Sequence, residues 1–222
     1  MRPIVTVANV DILSDENLFS KAYDKMPPMR REKIDRYRMK TDKRLSLGAG
    51  VLLEYGLKKH GYNLRDVKLS ENGKPYIEND PVYFSISHSK NVAAVAISPV
   101  NVGVDVEYID NIDLKIAERF FTKEEYNEIK SSENPDRTFF RIWTLKESLL
   151  KLTGTGIKIP LDSFRIILGD KIGTDLNSPM KKYYFKEFDD IENFGLSVAL
   201  EKYFRKIEFE IVDLGKIIKE EI

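Results

Sequence analysis

Residues 101–110 read NVGVDVEYID and residues 141–156 read RIWTLKESLLKLTGTG. In the first stretch Val102, Val104 and Val106 alternate with Gly103, Asp105 and Glu107, the two-residue period of a β-strand. In the second, Ile142, Leu145, Leu149 and Leu152 recur at helical spacing, with Glu147 and Lys151 one turn apart off that stripe. Pro135 near the start and Gly154 just past the end bound this helix over 135–152. Working outward, residues 112–129 and 42–59 also have helical periodicity, the latter closed by Gly61, and residues 15–25 read as a helix broken by Pro27 and Pro28. Strand patterns cover 4–10, the alternation around Val82, Phe84 and Ile86, then 92–97, 163–168, 182–188, 196–200 and 207–212. The final KEEI reads as a solvated tail. Helices followed by antiparallel-looking strands in each half give an α+β fold class, with a boundary expected near residue 100.

The chain has 222 residues, of which 42% are hydrophobic, enough for one large or two smaller cores. Thirty-six Lys and Arg balance 36 Asp and Glu, so no global field attracts nucleic acid or an anionic membrane, and any anion site must be local. Cysteine is absent, which excludes disulfides, thiolate zinc sites and cysteine nucleophiles. The opening MRPIVTVANVDIL has too short an apolar run for a signal peptide, and no stretch approaches the ~18 apolar residues of a membrane span. A cytoplasmic protein is the expectation.

On a strand, Asp105 and Glu107 project from one face with β-carbons about 7 Å apart and repel each other unless a cation or protons intervene. That face could equally be solvated, and Glu147 with Lys151 could be a routine surface ion pair. Taken together, the strand DxE and the helical Glu form a set of hard oxygen ligands suited to octahedral Mg²⁺ that keeps waters and substrate phosphates in its other positions.

Residues 30–44 hold eight bases (Arg30, Arg31, Lys33, Arg36, Arg38, Lys40, Lys43, Arg44) against Glu32, Asp35 and Asp42, a concentrated anion-attracting patch. Only Tyr37 offers a stacking ring, so single-stranded nucleic acid is a poor fit. His88, between Ser87 and Ser89 at the end of a strand, is either a satisfied structural residue or a phosphate contact. His60 reads as a helix end, and Trp143 as a core anchor.

Gly103 to Glu107 match the GVDxE strand motif of the 4′-phosphopantetheinyl transferases of the surfactin-synthetase-activating type, and Trp143, Lys146, Glu147 and Lys151 match that family's W-x-x-K-E-x-x-x-K helix. Residues 119–126 (RFFTKEEY), 160–164 (PLDSF), 73–76 (GKPY) and 86–89 (ISHS) also resemble its segments, so that the resemblance spans about residues 28–164. It implies a monomer of two similar α+β subdomains related by pseudo-twofold symmetry, residues 1–100 and 101–222, with coenzyme A in the cleft between them. It further implies holo-[acyl-carrier-protein] synthase activity: transfer of 4′-phosphopantetheine from coenzyme A to a serine of an apo acyl or peptidyl carrier protein, the alternatives being another Mg²⁺-dependent phosphotransferase or a non-catalytic homologue that binds coenzyme A or a carrier. Asp105, Glu107 and Glu147 would hold Mg²⁺, with Mn²⁺ as an alternative, and Lys151 would contact the diphosphate. Gly73, Lys74, Pro75, Ser87 and His88 would line the adenosine end, and Arg30, Lys33 and Arg44 the 3′-phosphate. Glu147, Glu125 or a metal-bound water would take the serine proton.

Overall fold

The computed structural model describes residues 1–70, 74–78, 82–155, 159–176 and 182–220. It is α+β, and it divides into two compact units: Met1–Pro99 with Lys206–Ile222, and Val100–Arg205.

The first unit contains β1 (Ile4–Asn9), α1 (Glu16–Lys25), α2 (Pro28–Asp35), α3 (Lys40–Lys58), β2 (Val67–Leu69), β3 (Pro75–Ile77), β4 (Tyr83–Ser89) and β5 (Val92–Ser98). The second contains β6 (Val102–Tyr108), α4 (Leu114–Phe120), α5 (Lys123–Ser131), α6 (Pro135–Thr153), β7 (Ile166–Ile167), β8 (Gly173–Thr174), β9 (Tyr184–Glu187) and β10 (Phe194–Leu200). Then β11 (Glu208–Ile211) and α7 (Leu214–Glu220) return to the first unit.

In the first unit a sheet of order β11-β1-β5-β4 carries α3 against it. The helix buries Leu47, Val51, Leu52, Leu53 and Leu57, and it lies close because Gly48 and Gly56 carry no side chain. A Cβ there would come within 2.4 Å of Val10 Cγ1 or 2.5 Å of Ile97 Cδ1. The expected subdomain 101–222 is shorter in the structure, because residues 206–222 belong to the first unit. β11 pairs in parallel with β1 from Ile4↔Glu208 to Val7↔Ile211, and Thr6 Oγ1 donates to Glu210 Oε1 at 2.9 Å. Of the expected solvated tail, Lys219 and Glu220 are exposed and Glu221 and Ile222 lie outside the described residues; just before it, helix α7 buries Leu214, Ile217 and Ile218 in the core of the first unit.

In the second unit the sheet has the order β6-β10-β9, all antiparallel. α6 begins with Asn134, whose side chain accepts from Arg137 N, and ends at Gly154 in the left-handed conformation (φ 69°), as a helix closed by glycine should. The 112–129 helix expected from periodicity is two helices. Phe121 is extended, and Thr122 restarts the chain through a capping box with Glu125. The strand expected over 163–168 reduces to the two-residue β7, since Leu161–Ser163 form a 3-10 turn.

α6 packs on the face of β6 that carries Gly103, Asp105 and Glu107. Opposite them on β10 lie Ala199, Ser197 and Gly195, so the helix rests on a lane of small residues. A Cβ at Gly103 would stand 1.8 Å from Ser148 O and 2.5 Å from Leu152 N. Backbone cannot yield to that contact as a side chain can. Gly103→Ala is therefore expected to lower the unfolding free energy by about 3 kcal/mol or more, the upper range of overpacking, read by urea denaturation. A midpoint unchanged from wild type would contradict this close approach.

Candidate functional site

The packing of α6 on β6 brings Asp105, Glu147 and Lys151 into one neighbourhood. Asp105 is only 2% exposed. Its Oδ1 accepts a hydrogen bond from Lys151 Nζ at 2.6 Å, a contact spanning 46 residues of sequence. The acidic face of β6 is thus covered by α6, and Lys151 reaches from the helix to the strand carboxylate. Glu147 is half-buried, and its carboxyl is pushed above the usual value of 4.5, first by desolvation and then by Asp105, with Lys151 pulling the other way. Glu107, also half-buried, pairs in register with Gly195, where the lane borders Phe140 and Thr144. Further along, Ser197 opposite Asp105 shares a 2.8 Å hydrogen bond with Thr144.

Among the described residues no three His, Asp or Glu side chains are already gathered at metal-ligand separation. The donor set nevertheless fits a hard cation. Asp105 raises the proton affinity of Glu147, and a divalent ion would relieve that carboxylate repulsion.

Beside Glu147 lies an apolar recess lined by Phe120, Trp143, Leu150, Ile159, Pro160 and Leu161, with Arg119 and Asp162 at its polar margin. Trp143 packs with Phe121 and Phe139, ring centroids 6.1 and 5.7 Å away. It is an anchor, as its sequence position suggests.

Glu125 stands apart from this site. It is fully buried: Oε2 accepts from the Thr122 amide and hydroxyl at 3.0 Å each, while Oε1 accepts from Ile166 N at 2.8 Å and lies 2.9 Å from Lys146 Nζ. Every lone pair it could offer a substrate proton is directed at the fold, so the structure assigns it to the α5 cap and not to proton transfer. Lys146, equally buried, donates to the carbonyls of Leu161 (2.7 Å) and Phe164 and lies over the Phe164 ring. Burial pushes its proton affinity down, and Glu125 opposes that shift.

A family profile described as the 4′-phosphopantetheinyl transferase superfamily matches residues 101–199, which include β6 and all of α6. The chain is 31% identical over 180 residues to 4′-phosphopantetheinyl transferase Sfp of Bacillus subtilis (strain 168), covering 78% of this chain and 80% of that protein. The chain belongs to the 4′-phosphopantetheinyl transferase superfamily. Two further transferases of that name are similar to it. The psf-1 protein of Bacillus pumilus is 33% identical over 177 residues (75% of this chain, 76% of that one). The gsp protein of Aneurinibacillus migulanus is 44% identical over 99 residues (44% and 41%).

In this superfamily member the first unit holds a second constellation, built on α2 and α3. Arg30 is buried, and its Nη2 donates to Ser46 O at 2.6 Å, while Arg30 Nε and Ser46 Oγ are buried with no hydrogen-bond partner. Desolvation lowers the proton affinity of Arg30. The same cause, with Arg30 itself second, lowers that of Lys33, whose side chain is partly open to solvent. Two neighbouring cations thus share a site with an uncommitted donor. The family resemblance pointed to Arg44, but at 100° per residue Lys43, Ser46 and Gly50 share a stripe of α3 that Arg44 leaves. Arg44 instead lines a separate basic recess with Glu16, Phe19, Arg38, Lys40 and Lys43. Ser46 was missed because a serine inside an apolar helix carries no sequence signal of its orphaned hydroxyl. Ser87 is buried and His88 half-buried on β4, opposite Ala94 and Ala93; Lys74 and Pro75 are described, and Gly73 lies outside the described residues.

Among the described residues no helix is long and apolar enough to cross a membrane.

Two outcomes follow for the second unit. Lys146→Met leaves Glu125 as an uncompensated buried charge and is expected to cost about 3–5 kcal/mol in urea denaturation, with the double variant Glu125→Gln/Lys146→Met recovering much of it. For Glu147, a folded-state value above the unfolded one means that the native state binds the extra proton. Its contribution therefore falls as pH rises through the window above 4.5. Glu147→Gln in metal-free buffer is expected to raise the melting temperature above that window and to lose the advantage below it. An advantage that is the same at every pH would contradict the assignment.

Proposed function

We propose that the chain transfers the 4′-phosphopantetheine arm of coenzyme A to the serine hydroxyl of an apo acyl or peptidyl carrier protein, releasing 3′,5′-adenosine diphosphate. The single observation that carries this reading is the buried Asp105–Lys151 contact beside Glu147: a lysine for phosphate oxygens next to carboxylates whose repulsion calls for a cation. Membership of the superfamily supports it from a different direction.

The residues divide the work as follows. Lys151, drawn to Asp105 in this structure, exchanges that partner for the diphosphate and neutralises charge as the leaving phosphate departs. Asp105, Glu107 and Glu147 would hold Mg²⁺. When bound, the ion supplies Lewis-acid stabilisation of the diphosphate. The serine Oγ forms a bond to the phosphorus bearing pantetheine, and the bond from that phosphorus to the bridging oxygen breaks. Its electron pair leaves with 3′,5′-adenosine diphosphate. Glu147 takes the serine proton, a role that Glu125 cannot fill with both oxygens engaged. Binding does much of the catalysis here, because positioning two reactants in line removes most of the entropic barrier. In the first unit Arg30 and Lys33 bind the 3′-phosphate, while Ser87, His88, Lys74 and Pro75 serve the adenosine end. Arg44 is left with the outer basic recess.

The test is intact-mass spectrometry of a panel of purified apo carriers incubated with coenzyme A and Mg²⁺. A gain of about 340 Da on a serine is expected, the mass of the transferred arm. Asp105→Ala and Glu147→Gln are each expected to reduce transfer at least about 1,000-fold while the protein stays folded, the scale of losing an electrostatic or acid–base contribution. Coenzyme A hydrolysed with no carrier modified, or either variant turning over at the wild-type rate, would overturn this reading.

A further inference from the structure

Three glycines interrupt α3, each costing roughly 1 kcal/mol of helix propensity relative to alanine. Gly48 and Gly56 are explained by the sheet, since a Cβ at either would strike Val10 or Ile97. Gly50 has different neighbours. A Cβ there would meet Arg30 Nη2 at 3.1 Å, Arg30 Nε at 3.2 Å and Met26 Sδ at 3.0 Å. The guanidinium of Arg30 therefore lies across α3 in the notch left by Gly50, fastened by Nη2 to Ser46 O one turn earlier.

We propose that Gly50 is a positioning residue for anion binding: its missing side chain sets the depth at which Arg30 Nε and Ser46 Oγ stay uncommitted and available to a phosphate monoester. The identification of that ester as the 3′-phosphate of coenzyme A rests on the function proposed above. The notch itself does not. A guanidinium buried this far in a helix–helix contact is stable only with oxygen around it. Ser46 O supplies one acceptor, and no carboxylate stands among the groups that shift Arg30; the Tyr37 phenol is what favours its charged form. A planar fork with one edge fastened and its Nε buried but unpaired is well shaped for a tetrahedral anion. A methyl group at residue 50 would push the flexible Arg30 outward by a few tenths of an ångström while improving the helix, so binding and stability should move in opposite directions.

The experiment compares wild type with Gly50→Ala. Expected is a roughly tenfold to hundredfold rise in KM for coenzyme A, the scale of one lost hydrogen bond to a charged group, with kcat retained. KM for 3′-dephospho-coenzyme A should be unchanged and the melting temperature equal or higher. Calorimetric titration with 3′,5′-adenosine diphosphate and with 5′-adenosine diphosphate, without carrier, reads the same preference independently of transfer. In an Arg30→Met background, adding Gly50→Ala should cause no further loss, because the effect acts through Arg30. Equal weakening toward both nucleotides, full additivity in the Arg30→Met background, or unaltered binding by Gly50→Ala would each overturn the inference. If wild type binds the nucleotides without preference for the 3′-phosphate, the ligand assignment falls instead. If it shows that preference but modifies no carrier, the transferase reading falls and the notch stands.

Discussion

The contact on which the second unit depends is that of α6 against the lane formed by Gly103, Ala199, Ser197 and Gly195. Helices usually stand off a sheet by the thickness of two side-chain layers, about 10 Å. Here helix backbone meets strand backbone at Gly103, where even a methyl group finds no room. That approach buries Asp105, and a buried carboxylate needs a partner. Lys151 supplies it from the helix that does the burying. Glu147 one turn earlier then lies in the field of Asp105 and keeps its proton more tightly than a solvated glutamate. One steric fact thus generates both the pairing and the unresolved repulsion, and unresolved repulsion within an ordered fold is a common mark of a place shaped for a ligand.

Much of this was legible in the sequence. Two periods decide β6 and α6, and they alone show that Asp105 shares a face with Glu107 and that Glu147 and Lys151 lie off the apolar stripe. Convergence was not legible, because the small residues that bring α6 down onto β6 include Gly195 and Ser197, about 90 residues downstream in a strand with no chemistry of its own. Residues 112–129 read as one helix because hydrophobic period is indifferent to an interruption shorter than a turn. The break lies in Thr122 and Glu125, whose mutual capping is a local hydrogen-bond pattern. Residues 207–212 showed strand period, but no local rule names the strand that they join. Arg44 resembled a ligand in charge, whereas its angle around α3 carries it away from Ser46.

Lys146 and Arg30 show two resolutions of the same energetic problem. Each is a cation taken out of water, with its proton affinity lowered by burial. Lys146 receives a carboxylate and two backbone carbonyls from the chain itself, which ties α6 to the cap of α5 and to the segment before β7. Arg30 receives one carbonyl and keeps a donor unengaged. Residue type and burial are alike; what differs is whether the fold provides the counter-charge. Where it does, the cation is part of the scaffold. Where it does not, a donor stays buried and unpaired within the fold.

The parallel pairing of β11 with β1 makes the second unit an insertion between two parts of the first. A ribosome delivers β1 early and β11 only after the whole of Val100–Arg205 has emerged. The inserted unit owns all strands of its sheet by then and is able to fold on the nascent chain, while β1 waits with one edge open. Closure of the first sheet therefore waits for β11, and a chain halted before residue 208 exposes the edge of β1 that β11 covers.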